Sequence, residues 1–182
     1  MDIFRIKDLE NLSGIKAHTI RMWEQRYSFL KPSRSSTNIR YYSCDDLKTI
    51  LNIALLNRVG FKISHIDRMD SAEIQEKIKG LTNGPAQQEK SINELIHYMV
   101  DMEMEGFEKT IDRHINEKGI DKTILQLIFP YLERIGILWV AGEVHPAQEH
   151  LVSNVIRQKL VAGIEHTVCR ASCDKKILLF LP

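Results

Sequence analysis

The stretch I-K-D-L-E-N-L-S-G-I-K-A-H-T-I-R-M-W-E-Q-R-Y, Ile6 to Tyr27, decides how the rest of the chain is read. Phe4, Ile6, Leu9 and Leu12 form an apolar stripe at helical spacing, and Ser13-Gly14 supplies the turn chemistry that ends it. The following segment, Ala17 to Tyr27, is short and polar. Ile20 and Trp23 are its inward anchors, which leaves Arg21, Arg26 and Tyr27 on other faces. Two short helices joined by a glycine-containing turn, the second one basic, make a helix-turn-helix whose second helix fits the major groove of DNA.

Beyond it, Pro32 and the polar run Ser33 to Asn38 forbid helix and lead into the β-prone tetrad Ile39 to Tyr42, which reads as a hairpin wing. Arg34 and Arg40 bracket that hairpin, with Tyr41 and Tyr42 beside them, placing charge and hydroxyl donors where they can grip flanking phosphates. Ser43 caps a further helix with Asp45 and Asp46 in its first turn. Leu47, Ile50, Leu51, Ala54 and Leu55 give that helix a core-facing stripe ending near Gly60.

Charge separates the two halves. Residues 1–68 carry 12 lysines and arginines against 7 acidic residues, net +5, while residues 69–182 carry 13 against 17, net −4. Positive charge gathered on one surface suits a polyanion partner for the first half alone. At 182 residues, with 43% hydrophobic and 27% charged residues, the chain is of ordinary globular composition. No run of about 18 apolar residues and no secretory leader is present, so a cytoplasmic address with no membrane association is expected. Cys44, Cys169 and Cys173 are too few for a disulfide scaffold or a zinc site and read as reduced and structural.

The pattern I-K-D-L-x-x-L-S-G-I-x-x-x-T-I-R-x-W-E-x-R-Y, with N-I-R-Y-Y-S in the wing and R-V-G-F after the next helix, resembles the MerR family of winged-helix transcription regulators over about residues 3–69. The resemblance implies a dimer on a two-fold operator in double-stranded DNA. By motif position it places Thr19, Arg21, Arg26 and Tyr27 on or beside the recognition helix, and Arg34, Asn38, Arg40 and Tyr42 on the wing. Trp23 fits a core role better.

In the second half, Ile74 and Ile78 mark a brief helix, and residues 82–87, T-N-G-P-A-Q, read as a linker. The segment between Ser71 and Leu81 is too short for a dimerising coiled coil. Ile92, Leu95, Ile96 and Met99 set one helical stripe; Phe107, Ile111 and Ile115 set another, ended by Gly119. Asp121 is expected to cap a third helix lined by Ile124, Leu127, Ile128, Tyr131, Leu132 and Ile135, kinked at Pro130 and closed by Gly142. Pro146 fits the first turn of a fourth helix, with Leu151, Val155 and Leu160 inward. Four such helices make a bundle that buries its own stripes without any ligand. Met99, Met102 and Met104 read as core filler.

The run I-G-I-L-W-V-A-G-E-V-H-P-A-Q-E-H resembles the cap bundle of cobalamin-binding domains, notably those of cobalamin-dependent light-responsive MerR-type repressors. There a tryptophan, nine further residues and Glu-His cover the upper face of the corrin, which implies roles for Trp139, Glu149 and His150 toward adenosylcobalamin or methylcobalamin. Two departures stand out. Val140 occupies the place of the histidine that ligates cobalt after illumination, and the D-x-H-x-x-G motif with the lower cobalt ligand is absent. His145 and Glu149 stand four apart on a helix with His150 adjacent, but no H-E-x-x-H motif or further clustered ligand completes a metal site.

Asp174 to Pro182 reads as the opening strand of a doubly wound domain, as if the chain were a truncated form of a protein about one domain longer. The expected architecture is mainly all-α. A winged helix-turn-helix occupies residues 1–70, a connecting helix and linker 71–87, a four-helix bundle 88–173, and the start of a Rossmann-like domain 174–182. The expected function is a non-enzymatic, homo-oligomeric DNA-binding regulator responding to a cobalamin-like ligand. Alternatives are another small-molecule ligand, a purely dimerising bundle or, remotely, a corrinoid methyl-carrier protein.

Overall fold

The computed structural model describes residues 3–81, 84–140 and 144–166. It is mainly helical, with one two-stranded sheet among the described residues. The first helix, α1 (Ile6–Ser13), ends at Gly14, whose φ of 73° is the left-handed conformation that glycine adopts without strain. Its successor, α2 (Ala17–Arg26), buries Ile20 and Trp23 at 0% and 8% exposure, as their spacing predicts. The wing pairs β1 (Ser33–Arg34) antiparallel with β2 (Arg40–Tyr41), in register Ser33 with Tyr41 and Arg34 with Arg40. Asn38 turns the tip at a φ of 62°, and an isolated bridge from Phe4 to Tyr42 ties the chain start to the wing base.

Ser43 and Asp46 cap α3 (Cys44–Arg58) reciprocally: the Asp46 amide donates to the Ser43 hydroxyl at 3.1 Å and the Ser43 amide to the Asp46 carboxylate at 2.8 Å. Two short helices follow, α4 (Ile63–Ile66) and α5 (Ser71–Lys79), the second capped by Asp70. The expected linker is corrected at residues 84–87, which form the first turn of α6 (Gly84–Asp101). Proline is at home there because a helix's first amides have no partner to lose. α6 then packs on α3, where the Asn93 side-chain amide donates to the Leu51 carbonyl at 3.3 Å, and one apolar cluster runs from Phe4 to Ile156 through both halves.

The bundle continues with α7 (Met104–Lys118), which Gly119 ends. Gly119, not Asp121, then stands at the start of a continuous helical run: α8 (Ile120–Thr123), a π-helical turn (Ile124–Ile128) and α9 (Phe129–Val140). Pro130 explains the π turn. It has no amide to offer the Gln126 carbonyl, the neighbouring Phe129 amide reaches back five residues to Ile124, and the Gln88 side chain donates to the freed Gln126 carbonyl at 2.7 Å.

The last helix, α10 (Pro146–His166), begins with Pro146 as expected, and Val155 and Leu160 pack partly buried against the core, but Leu151 does not and the centre of the inward face lies elsewhere. Val152 and Ile156 are buried at 0% and 7%, whereas Leu151 is 38% exposed. Gln148 sets this phase. Its buried side chain accepts from the His145 amide at 3.0 Å and donates to the Val100 carbonyl at 3.3 Å, which turns the row four and eight residues on toward the core. Gly142, Cys169, Cys173 and the strand expected over 174–182 lie outside the described residues.

Candidate DNA interface and sensor site

The outer face of α2 presents His18, Arg21, Met22 and Gln25 at spacings of three and four residues, with Arg26 alongside; all five are exposed. Thr19 is half-buried beneath them. Tyr27, also half-buried, stacks on Phe29 with ring centroids 5.6 Å apart, and Phe29 meets Trp23 edge-on at 5.9 Å. This aromatic group fixes the end of α2, and Trp23 belongs to the core.

On the wing, Arg34 and Asn38 are exposed and joined by a hydrogen bond from the guanidinium to the Asn38 side-chain oxygen at 2.6 Å. Arg40 and Tyr42 are placed differently from the expectation of free outward donors. Arg40 Nε donates to Glu24 Oε2 at 2.8 Å, and the Tyr42 hydroxyl donates to Glu24 Oε1. Tyr42 is only 1% exposed, so its assignment as a surface contact is corrected. Burial, then the hydrogen bond and charge of Glu24, push its phenol well above the ordinary range. Glu24, on α2, thus clamps the wing to the helix it flanks. Sequence reasoning misses this residue because its partners lie 16 and 18 positions away.

A second polar cluster links the two halves. Glu89 on α6 receives Arg134 from α9 through two bonds, of 2.7 and 3.0 Å, and Arg58 from α3 at 2.7 Å. Burial alone would raise the Glu89 carboxyl, but the hydrogen bonds and charge of Arg134, and then of Arg58, hold it below the ordinary value.

Trp139 is half-buried on α9, and among the described residues its enclosed indole Nε1 has no hydrogen-bond partner. Glu149 and His150 are exposed in the first turns of α10. Among the described residues no hydrogen bond or ion pair joins these three side chains. His145 caps α10, its Nδ1 accepting from the Ala147 amide at 3.2 Å. No cluster of three or more histidine, cysteine or acidic residues suited to a metal ion occurs among the described residues. No described helix is long and apolar enough to cross a membrane.

Comparison with known proteins matches residues 4–73 to the MerR HTH family regulatory protein and residues 91–162 to the B12 binding domain. The chain carries a MerR-type helix-turn-helix domain followed by a B12-binding domain. The exposed face of α2 and the wing fall within the first match; Trp139, Glu149 and His150 fall within the second. The chain is also 25% identical over 165 residues to the HTH-type transcriptional repressor CarH of Myxococcus xanthus, covering 87% of this chain and 55% of that one. It is 28% identical over 162 residues to the HTH-type transcriptional repressor CarA of the same organism, covering 86% and 51%. The chain therefore spans about half the length of these curated relatives.

The MerR-type domain ends within α5, whose C-terminal turn leads toward α6, so the Glu89 cluster lies on the path between the two matched segments. Within the B12-binding domain, the indole N–H of Trp139 is, with His97 Nε2 and His114 Nδ1, one of the buried side-chain nitrogens that have no hydrogen-bond partner among the described residues, where a buried polar group normally finds one.

Proposed function

We propose that this chain is the DNA-reading and sensing part of a cytoplasmic, non-enzymatic transcription regulator that answers to a cobalamin. The observation carrying the reading is the division of α2: Ile20 and Trp23 are sealed into the core, while Arg21 and Arg26 stand free on the outer side. A short helix so divided suits the major groove, with Arg21, Arg26, Thr19 and Tyr27 at or near the duplex and Arg34 and Asn38 against flanking phosphate. Arg40 and Tyr42 act in this account through Glu24, holding the wing at the angle the groove requires. A homodimer would present two such heads to a two-fold operator.

For the sensor, the residues present fit the upper face of a corrinoid. The Trp139 indole offers a broad apolar surface and an unused donor, and Glu149 and His150 offer an exposed carboxylate and imidazole beside it in sequence order on α10. When bound, a corrinoid would supply a large flat ligand whose adenosyl or methyl group would be the chemical variable to be read. The protein's part is to pack the indole against that group and to orient hydrogen bonds from α10. Regulation then follows by linkage: a ligand that favours one arrangement of the bundle changes how paired reading heads meet the operator.

The test uses the full-length native gene product, titrated with adenosyl- and methylcobalamin in the dark and in light and then assayed for promoter binding. Saturable binding that weakens at least tenfold in Trp139→Ala, about 1.4 kcal/mol, supports the sensor assignment. Equal affinity of the variant overturns it.

A further inference from the structure

Between the reading head and the sensor bundle lies a chain of contacts that neither role requires by itself. Arg58, near the end of α3, donates through Nη2 to the Ser13 carbonyl at 2.8 Å, at the turn that joins α1 to α2. The seat is shaped for it: a Cβ on Gly14 would stand 2.8 Å from that same Nη2, so the turn glycine provides clearance as well as its left-handed backbone. The other arm of Arg58, Nη1, lies 2.7 Å from Glu89 Oε1.

The carboxylate of Glu89 is shared unequally. Oε1 also receives Arg134 Nη1 at 2.7 Å, while Oε2 is held by Arg134 Nη2 at 3.0 Å, its one partner among the described residues. Arg134 further donates to Asn93 Oδ1 at 3.1 Å, and Asn93 is anchored to the Leu51 carbonyl of α3. Glu89 and Arg134 are withdrawn from solvent, at 18% and 17% side-chain exposure, whereas Arg58 is 43% exposed. Because Arg134 grips both oxygens, the orientation of the carboxylate that holds Arg58 is tied to α9. α1 also packs directly on α9, and Trp139 lies five residues beyond Arg134 on the same helix.

We propose that the Arg58–Glu89–Arg134 clasp is the positioning device that ties the turn of the helix-turn-helix to helix α9, so that displacement of α9 is felt at the base of the reading helix. All three are positioning residues and none contacts DNA or ligand in this account. The use of the clasp for signalling rests on the function proposed above, but the coupling itself exists without either ligand and is measured without them. It needs an element with two arrangements that both ends bias, and a three-way ion cluster that can hold or drop one arm provides it.

The experiment is residue-resolved amide hydrogen exchange on the whole chain, free of DNA and cobalamin, in the wild type, Arg134→Met, Arg58→Met, the double variant and Arg134→Lys. Among the described residues no hydrogen bond or ion pair joins Arg134 to the α1–α2 turn, yet Arg134→Met is expected to speed exchange at Gly14 and Ile15 by about tenfold, as Arg58→Met does. The double variant is expected to add little further, and Arg134→Lys to recover part of the protection. Faster exchange confined to α6 and α9, or full additivity in the double variant, overturns the proposal. The Ile111 amide in α7 reports whether the bundle stays folded. If Arg134→Met abolishes its protection, Glu89→Gln takes that variant's place, and exchange that is unchanged in the turn then overturns the clasp. A failed cobalamin titration leaves each of these outcomes intact.

Discussion

Removing the Glu24 carboxylate tests how the wing is held. Its side chain is 6% exposed, receives Arg40 Nε at 2.8 Å and accepts the hydroxyl of a Tyr42 that is 1% exposed. In Glu24→Ala the buried phenol loses its acceptor, which costs about 1–3 kcal/mol. Breaking a wholly buried ion pair costs about 3–5 kcal/mol, but Arg40 is 25% exposed and can turn toward water, so its share falls below that range. A total near 3 kcal/mol is expected. Tyr42→Phe removes one hydrogen bond to a charged acceptor, about 1.5–3 kcal/mol, and leaves the Glu24–Arg40 pair in place. In the double variant no phenol remains to be orphaned, so its cost falls short of the sum of the singles by about 1–2 kcal/mol. Urea unfolding with a common m-value measures all three differences. Additivity to within about 0.5 kcal/mol would show that the two side chains do not act together and would refute the clamp.

Acid should weaken the fold through His97. Burial first, then the Lys48 charge, hold its imidazole at about 4 against an ordinary 6.5, with Asp101 pulling the other way. The unfolded chain therefore takes up the proton first, so the His97 contribution is complete above about pH 7 and is lost as pH falls toward 4. Between pH 7 and 5 the loss is about 2 kcal/mol, and parallel stability curves for the wild type and His97→Leu would contradict it. Gly14→Ala meets both a φ of 73° and the Arg58 guanidinium, so a thermal or urea midpoint lowered by an equivalent of about 1–3 kcal/mol is expected. Phe107→Ala, at a residue 0% exposed and edge-on to Tyr131 at 5.5 Å, should cost about 3–5 kcal/mol in the same assay.

Features governed by rules of short range are legible in the amino-acid sequence itself. Gly14 ending α1, Ser43 capping α3, Gly119 ending α7 and Pro146 opening α10 each depend on a few neighbouring residues. What the sequence hides depends on partners far along the chain. Tyr41 and Tyr42 are adjacent on an extended segment and must face opposite ways; only the pairing of Tyr42 with Phe4 decides which one turns inward. The apolar residues of α10 surround enough of its circumference to allow two phases, and the contact of Gln148 with Val100, 48 residues away, selects one. Polar residues 84–87 resemble a linker in composition, yet Gly84-Pro85 opens a helix whose apolar face is already specified farther on. The site follows the same division. Arg21 and Arg26 are readable from helical spacing, while Glu24, Glu89 and Arg134 acquire their roles from residues 16 to 45 positions distant.

The direct measurement is fluorescence anisotropy of a labelled promoter duplex against this chain over a salt series, for the wild type and Arg21→Ala. If the outer face of α2 seats on the duplex, log affinity falls linearly with log salt, and Arg21→Ala binds more weakly with a slope shallower by about 0.9. An absence of binding even in dilute buffer, or an unchanged slope in the variant, would contradict it.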